Sequence, residues 1–193
     1  MMVFFLILLV IFIVLSWYIV QFPDNPLDQM VLVWFQTQHH ELLTVIAQQL
    51  SWLGGLPSML LFSAFIVICA YLKKDEQTIY FVIFGISLTV FTSWSFKWLF
   101  ARDRPVLDIV LIDTYGSSFP SAHSAYAMMF ACILIYWWRR HTVIWLTVTL
   151  VGVLWVFLMG CSRMYLGVHY LTDVLAGWIL AAMVMLLIKM KLN

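Results

Sequence analysis

The chain has 193 residues, 65% of them hydrophobic and 10% charged, with a mean hydropathy of +1.02, whereas a soluble domain carries about 25% charged residues. That balance excludes an ordinary soluble domain and points to an integral membrane protein. The formal net charge is +1, with no basic tail and no Lys/Arg cluster of the size that marks a nucleic-acid surface, so no nucleic-acid partner is expected.

Residues 3–21 are apolar but lack a basic leading region, and Gln21-Phe22-Pro23-Asp24-Asn25-Pro26 offers no small-x-small cleavage pattern. An uncleaved first span is expected rather than a removed signal peptide. A bilayer core about 30 Å thick takes about 17 to 25 apolar residues per helix. On that scale the chain reads as one all-α polytopic membrane domain over 1–193, with spans near 3–21, 56–72, 78–100, 121–138, 142–160 and 169–188. Residues 22–55 are too polar to span, yet carry apolar residues at helical spacing. They predict short amphipathic helices lying in the interface of the first outer loop. His39 and His40 fall there without a carboxylate cluster and read as solvated surface, not metal ligands. Gly54, Gly55 and Pro57 punctuate the approach to the second span.

Lys73, Lys74, Arg139, Arg140, Lys189 and Lys191 all fall on one side of a six-span topology, as the positive-inside rule requires of a cytoplasmic face. Both termini are then expected in the cytoplasm and the protein in the cell membrane. Cys69, Cys132 and Cys161 have no C-x-x-C spacing and read as small buried hydrophobes. Trp52, Trp94, Trp98 and Trp178 fit interfacial belts or helix packing. Asp108, Asp113 and Tyr115 have no metal-site spacing and read as loop residues.

Lys97, Arg102, Arg104 and Arg163 lie on the outer side, where the positive-inside rule predicts few. For Arg102 alone, snorkelling to headgroups and pairing with Asp103 is the simplest reading. The others share their depth with His123, His169 and Asp173, which begin the fourth and sixth spans, and charged groups at spans are functional by default. Arg offers a fork of donors matched to phosphate oxygens and Lys a compact charge, so Lys97, Arg104 and Arg163 suit a tetrahedral anion. Lys97 and Arg104 are seven apart and share a face if the helix runs on to Pro105. His169 and Asp173 are four apart on one helix, so the carboxylate can hold one ring nitrogen and leave the other as a base or nucleophile. A hydrogen-bonded structural pair is the alternative. Pro120 suits a first helical turn, after which Ser121 adds a hydroxyl and the amides of Ala122 and His123 point outward at the positive end of a helix dipole. An ordinary capped helix start has the same appearance.

Lys97-x6-Arg104-Pro105, Pro120-Ser121-Ala122-His123 and Ser162-Arg163-x5-His169-x3-Asp173 together resemble the three-part signature of the type 2 phosphatidic acid phosphatase superfamily, in its branch of bacterial membrane lipid phosphatases. Ala122 departs from the pattern, which commonly has glycine there; alanine keeps the N–H and loses room. The resemblance implies that His169, oriented by Asp173, attacks phosphorus to give a phosphohistidine, while His123 protonates the leaving group and then activates water. It implies that Lys97, Arg104, Arg163, Ser121 and the amides at Ala122 and His123 stabilise charge on the equatorial oxygens, without a metal or other cofactor. The implied substrate is a lipid phosphate or pyrophosphate monoester at the outer leaflet. Undecaprenyl pyrophosphate comes first, with phosphatidylglycerophosphate or phosphatidate as alternatives, and no obligate protein partner is implied. A transporter or flippase of an anionic lipid would use the same cations, but such sites usually lie at the midplane between broken helices; here the polar groups gather at one end.

Overall fold

The computed structural model describes residues 1–106, 111–139 and 141–192, so Asp108 and Arg140 lie outside the described residues. Within these the protein is helical, with no strand. The helices are α1 (Met2–Gln21), α2 (Pro26–Thr37), α3 (Glu41–Leu53), α4 (Leu56–Leu72), α5 (Glu76–Phe100), α6 (Ala122–Trp137), α7 (Thr142–Tyr165) and α8 (Leu171–Leu192). Helices α1, α5, α7 and α8 are each long and apolar enough to cross a bilayer. Helices α3 and α4 meet at a 52° bend and reach that length only as a pair. Helix α6 is apolar but has 16 residues, about 24 Å of rise.

Local chemistry sets most of the boundaries. The Asn25 side chain accepts from the Asp28 amide and Pro26 opens α2; Asp75 caps α5 through the Thr78 amide; Ser121 caps α6. These are the residues that satisfy the orphan amides of a first turn. Two expectations are corrected here. Helix α5 ends at Phe100: the Ala101 amide still makes the last helical bond to Lys97 O, but its φ of 45° turns the chain that follows out of the helix, so Arg104 lies beyond the helix and shares no face with Lys97. Pro120 precedes the Ser121 cap instead of occupying the first turn.

Helix α6 is central, packing against α5, α7 and α8, while α1 lies on α8 and α4 on α5. The core at the end away from Lys97 and Asp173 joins Phe81, Val82 and Ile86 of α5 to Met129 and Ile133 of α6 and Val184 and Ile188 of α8. Small residues allow this closeness, as expected where helices pack in lipid. The critical one is Gly177 of α8: a Cβ there would sit 2.5 Å from Ser121 O and 3.1 Å from the Ala125 amide. Gly177→Ala is therefore expected to push the start of α6 away from α8, destabilising the protein by about 1 to 3 kcal/mol, the cost of overpacking. Thermal unfolding in detergent measures this, and an unchanged midpoint would show that the contact has slack.

The two helices expected in the first outer loop are present, and they pack on α7 and α8, at the end where the charged residues gather. His39 and His40 are exposed yet not merely solvated. His39 Nε2 lies 3.0 Å from Tyr165 O, and the His40 amide donates to the Tyr165 hydroxyl at 3.0 Å. No cluster of potential metal ligands occurs among the described residues.

Candidate active site

Lys97 stands in the last turn of α5 and Arg163 in the last turn of α7, while Asp173 stands in the first turn of α8. His123 is in the first turn of α6, and His169 lies in the turn before α8. Alternating helix direction brings these ends to one level. Lys97, Arg104, Ala122, His123, Arg163 and His169 line a single cavity of about 140 Å³.

The nucleophile candidate is held in one tautomer. Arg104 Nη1 lies 3.4 Å from His169 Nε2, and a guanidinium can only donate, so Nε2 carries the lone pair and Nδ1 the proton. Nδ1 lies 3.5 Å from Asp173 Oδ2 and has no hydrogen-bond partner among the described residues. Burial, followed by the charges of Lys97, Arg163 and Arg104, holds the ring well below the usual imidazole range. His169 is thus a neutral imidazole with its basic nitrogen at the cavity.

Asp173 is fully buried and heavily engaged. Its Oδ2 accepts from the Ser118 hydroxyl and from the Tyr170 amide at 2.9 Å, and its Oδ1 accepts from Arg102 Nη1 at 2.7 Å. Arg102 is therefore not a snorkelling residue and does not pair with Asp103. Its second nitrogen bonds Asp28 Oδ2 at 2.8 Å, and Asp103 is exposed. Burial opposes the Arg102 charge, but Asp173 and Asp28 outweigh it and raise the pKa above the usual guanidinium value.

The three phosphate-suited cations differ in what they have free. Lys97 Nζ donates to Ser117 O at 2.5 Å and Ser118 O at 3.2 Å, leaving one of its three protons. Arg104 commits its donors to the carbonyls of Tyr115, Gly116, Ser117 and Val168 and to His169. It braces the cavity wall and the His169 ring, and burial lowers its pKa from the usual value. Arg163 is 3% exposed, donates through Nη1 to the Ser51 hydroxyl, and has an Nε with no partner among the described residues. That buried, unsatisfied donor beside a cationic cavity is what an anion would complete.

At the start of α6 the outcome is mixed. Ala122 and His123 line the cavity, and amides at the first two helical positions have no intrahelical acceptor. Ser121 does not line it: its amide donates to Asp173 O at 2.9 Å and its hydroxyl bonds Ser124, so it fixes the helix start. Trp94, Asp113, Thr114, Tyr115 and Tyr126 also line the cavity. The Trp94 indole donates to the Tyr126 hydroxyl at 3.2 Å, so Trp94 also forms part of the cavity wall. Helical spacing of Tyr126 three places after His123 was the available signal for it; nothing local marks Ser51 or Asp28.

The chain is 32% identical over 117 residues to an Escherichia coli (strain K12) protein provisionally named undecaprenyl-diphosphatase, covering 58% of this chain and 56% of that one. It is 36% identical over 84 residues to phosphatidylglycerophosphatase B of Bacillus subtilis (strain 168), covering 41% of each. The chain thus spans about half or less of the length of these relatives. Its fold matches the crystal structure of a transmembrane PAP2-type phosphatidylglycerolphosphate phosphatase from Bacillus subtilis with a TM-score of 0.80, at 22% identity, over 97% of this chain and 94% of that one. Residues 78–192 match the PAP2 superfamily, a stretch that contains every charged residue lining the cavity, and the chain belongs to that superfamily.

Proposed function

We propose that this protein is an integral-membrane lipid phosphatase that hydrolyses a phosphate or pyrophosphate monoester through a phosphohistidine, without a metal cofactor. The observation that carries this reading is one small cavity holding the Nε2 lone pair of His169, His123, and free donors from Lys97 and Arg163. His169 Nε2 attacks phosphorus as the bond to the leaving oxygen breaks, and His123 gives that oxygen its proton. Water then attacks the phosphohistidine, His123 takes its proton, and cleavage of the P–N bond returns His169 and inorganic phosphate. The Nδ1 gap to Asp173 closes as the imidazole gains positive charge, since such bonds commonly tighten along the reaction. Lys97, Arg163 and the amides of Ala122 and His123 stabilise the equatorial oxygens, while Arg104 holds Nε2 toward them and adds its charge.

The reading takes α1, α4, α5, α6, α7 and α8 as six crossings, with the cavity outward and both termini cytoplasmic. Lys73, Lys74, Arg139, Lys189 and Lys191 at the helix ends away from the cavity support that orientation. A site at headgroup depth suits a lipid substrate. Undecaprenyl pyrophosphate is our first choice, supported by the name of the Escherichia coli relative and by an outward-facing cavity.

Detergent-purified protein is expected to release phosphate from undecaprenyl pyrophosphate faster than from phosphatidylglycerophosphate, phosphatidate or a soluble phosphate ester. A chelator should leave the rate unchanged and vanadate should compete with substrate. No release from any of the four would overturn the hydrolase reading; a strict metal requirement would overturn the mechanism.

A further inference from the structure

A buried polar cluster joins α2 to α8 behind the Asp173 carboxylate. Asp28, in the first turn of the outer helix α2, is completely buried. Its Oδ1 accepts from the Thr172 amide at 2.9 Å, and its Oδ2 accepts from the Thr172 hydroxyl at 2.6 Å, Asn25 Nδ2 at 2.7 Å and Arg102 Nη2 at 2.8 Å. Arg102 in turn bonds Thr172 Oγ1 at 2.8 Å, Asp173 Oδ1 at 2.7 Å and Pro23 O at 3.1 Å, with its guanidinium 4.2 Å from the Tyr170 ring centre. One planar cation therefore joins the carboxylate of α2 to the carboxylate of α8. Neither Arg102 nor Asp28 lines the cavity.

We propose that Arg102 and Asp28 are positioning residues for the reaction: together they fix the Asp173 carboxylate so that Oδ2 faces Nδ1 of His169. Asp173 has two oxygens, and which one meets His169 depends on what holds the other. Arg102 takes Oδ1, while the Ser118 hydroxyl and Tyr170 amide set the direction of Oδ2. Asp28 is needed because a guanidinium without it would be free to take both oxygens of Asp173 in the bidentate geometry it favours. That would draw Oδ2 away from the imidazole. Two carboxylates across one fork, with Thr172 bridging, leave each with a single bond to Arg102. Lysine has no planar fork and cannot serve both. The outer helix α2 is thereby a structural part of the nucleophile's support, although it contributes no residue to the cavity.

This inference rests on the phosphohistidine reading, so its test carries a separate control. Asp28→Asn is expected to lower kcat about 10- to 100-fold, the scale seen when partners behind a functional histidine are removed. KM and vanadate inhibition should hold, since Lys97 and Arg163 are untouched. Thr172→Val, which removes only the bridging hydroxyl, should show the same split more weakly and covers the case in which Asp28→Asn does not fold. In an Asp173→Asn background neither change should cost further turnover, because residues acting through one group are not additive. Unchanged kcat in the folded variants, or an equal loss on top of Asp173→Asn, overturns the inference. His169→Ala measured alongside separates the two ideas. Its full turnover would remove the nucleophile itself, whereas an inactive His169→Ala beside a fully active Asp28→Asn would overturn only the positioning role.

Discussion

His169→Ala is expected to lower turnover by about four orders of magnitude or more, the scale on which removal of a nucleophile acting with its base leaves only binding and charge stabilisation. The ring is 2% exposed and its Nε2 is fixed as the lone-pair nitrogen by a donor-only neighbour. His123 also lines the cavity, but it has no donor-only neighbour that sets its tautomer among the described residues. Reactions quenched in alkaline detergent with substrate labelled at phosphorus should trap a base-stable, acid-labile phosphoenzyme in the parent and none in the variant. Its expected pH behaviour has a definite sign. Burial and three neighbouring cations depress the His169 pKa well below the usual value, so the neutral, nucleophilic form is present through neutral pH and is lost only far on the acid side. A fall in activity near the ordinary imidazole pKa would then belong to another group. Full activity in purified His169→Ala, or a phosphoenzyme that survives the substitution, would remove His169 as the nucleophile.

Much of this site is legible from sequence because the chain is so apolar. In a background with 10% charged residues, Lys97, Arg104, Arg163, His169 and Asp173 stand out individually, and antiparallel helices bring their ends to one level. What stays hidden is the set of partners that decide how each charge is used. Arg102 has the same local sequence whether it snorkels or is buried. The carboxylate that settles the matter is 74 residues away on a helix whose first-turn acid looks like an ordinary dipole partner. The end of α5 was hidden for a different reason. Alanine seldom adopts a left-handed conformation, so Ala101 carries no stop signal, and Pro105 is the first residue that marks an end. Ser121 is a case where the residue type was right and the role was not: a serine before a helix is first a cap, and here its hydroxyl turns inward to Ser124.

Arg163→Ala is expected to reduce kcat/KM by about a thousandfold or more, since loss of even one donor to developing charge costs about 10²- to 10³-fold and Arg163 supplies several. The same residue is expected to be a burden on the resting fold. It lines the cavity with Lys97, Arg104, His123 and His169, and although Asp113 lines it too, no carboxylate pairs with Arg163 among the described residues, where its side-chain bond is to the Ser51 hydroxyl. A buried charge without a partner costs several kcal/mol, and an apolar side chain of similar length removes that cost without opening a void. Arg163→Met is therefore expected to be inactive yet to unfold at a temperature equal to or above that of the parent, with weakened vanadate inhibition in step with the lost activity. Arg163→Lys should recover part of the activity, because it restores the charge but not the fork. A site selected to bind a phosphate trades stability for function in this way, and the opposite pattern would be decisive. Arg163→Met with retained turnover and a lowered unfolding temperature would make Arg163 a structural residue, and the cavity would lose its only completely buried, unsatisfied guanidinium donor among the described residues.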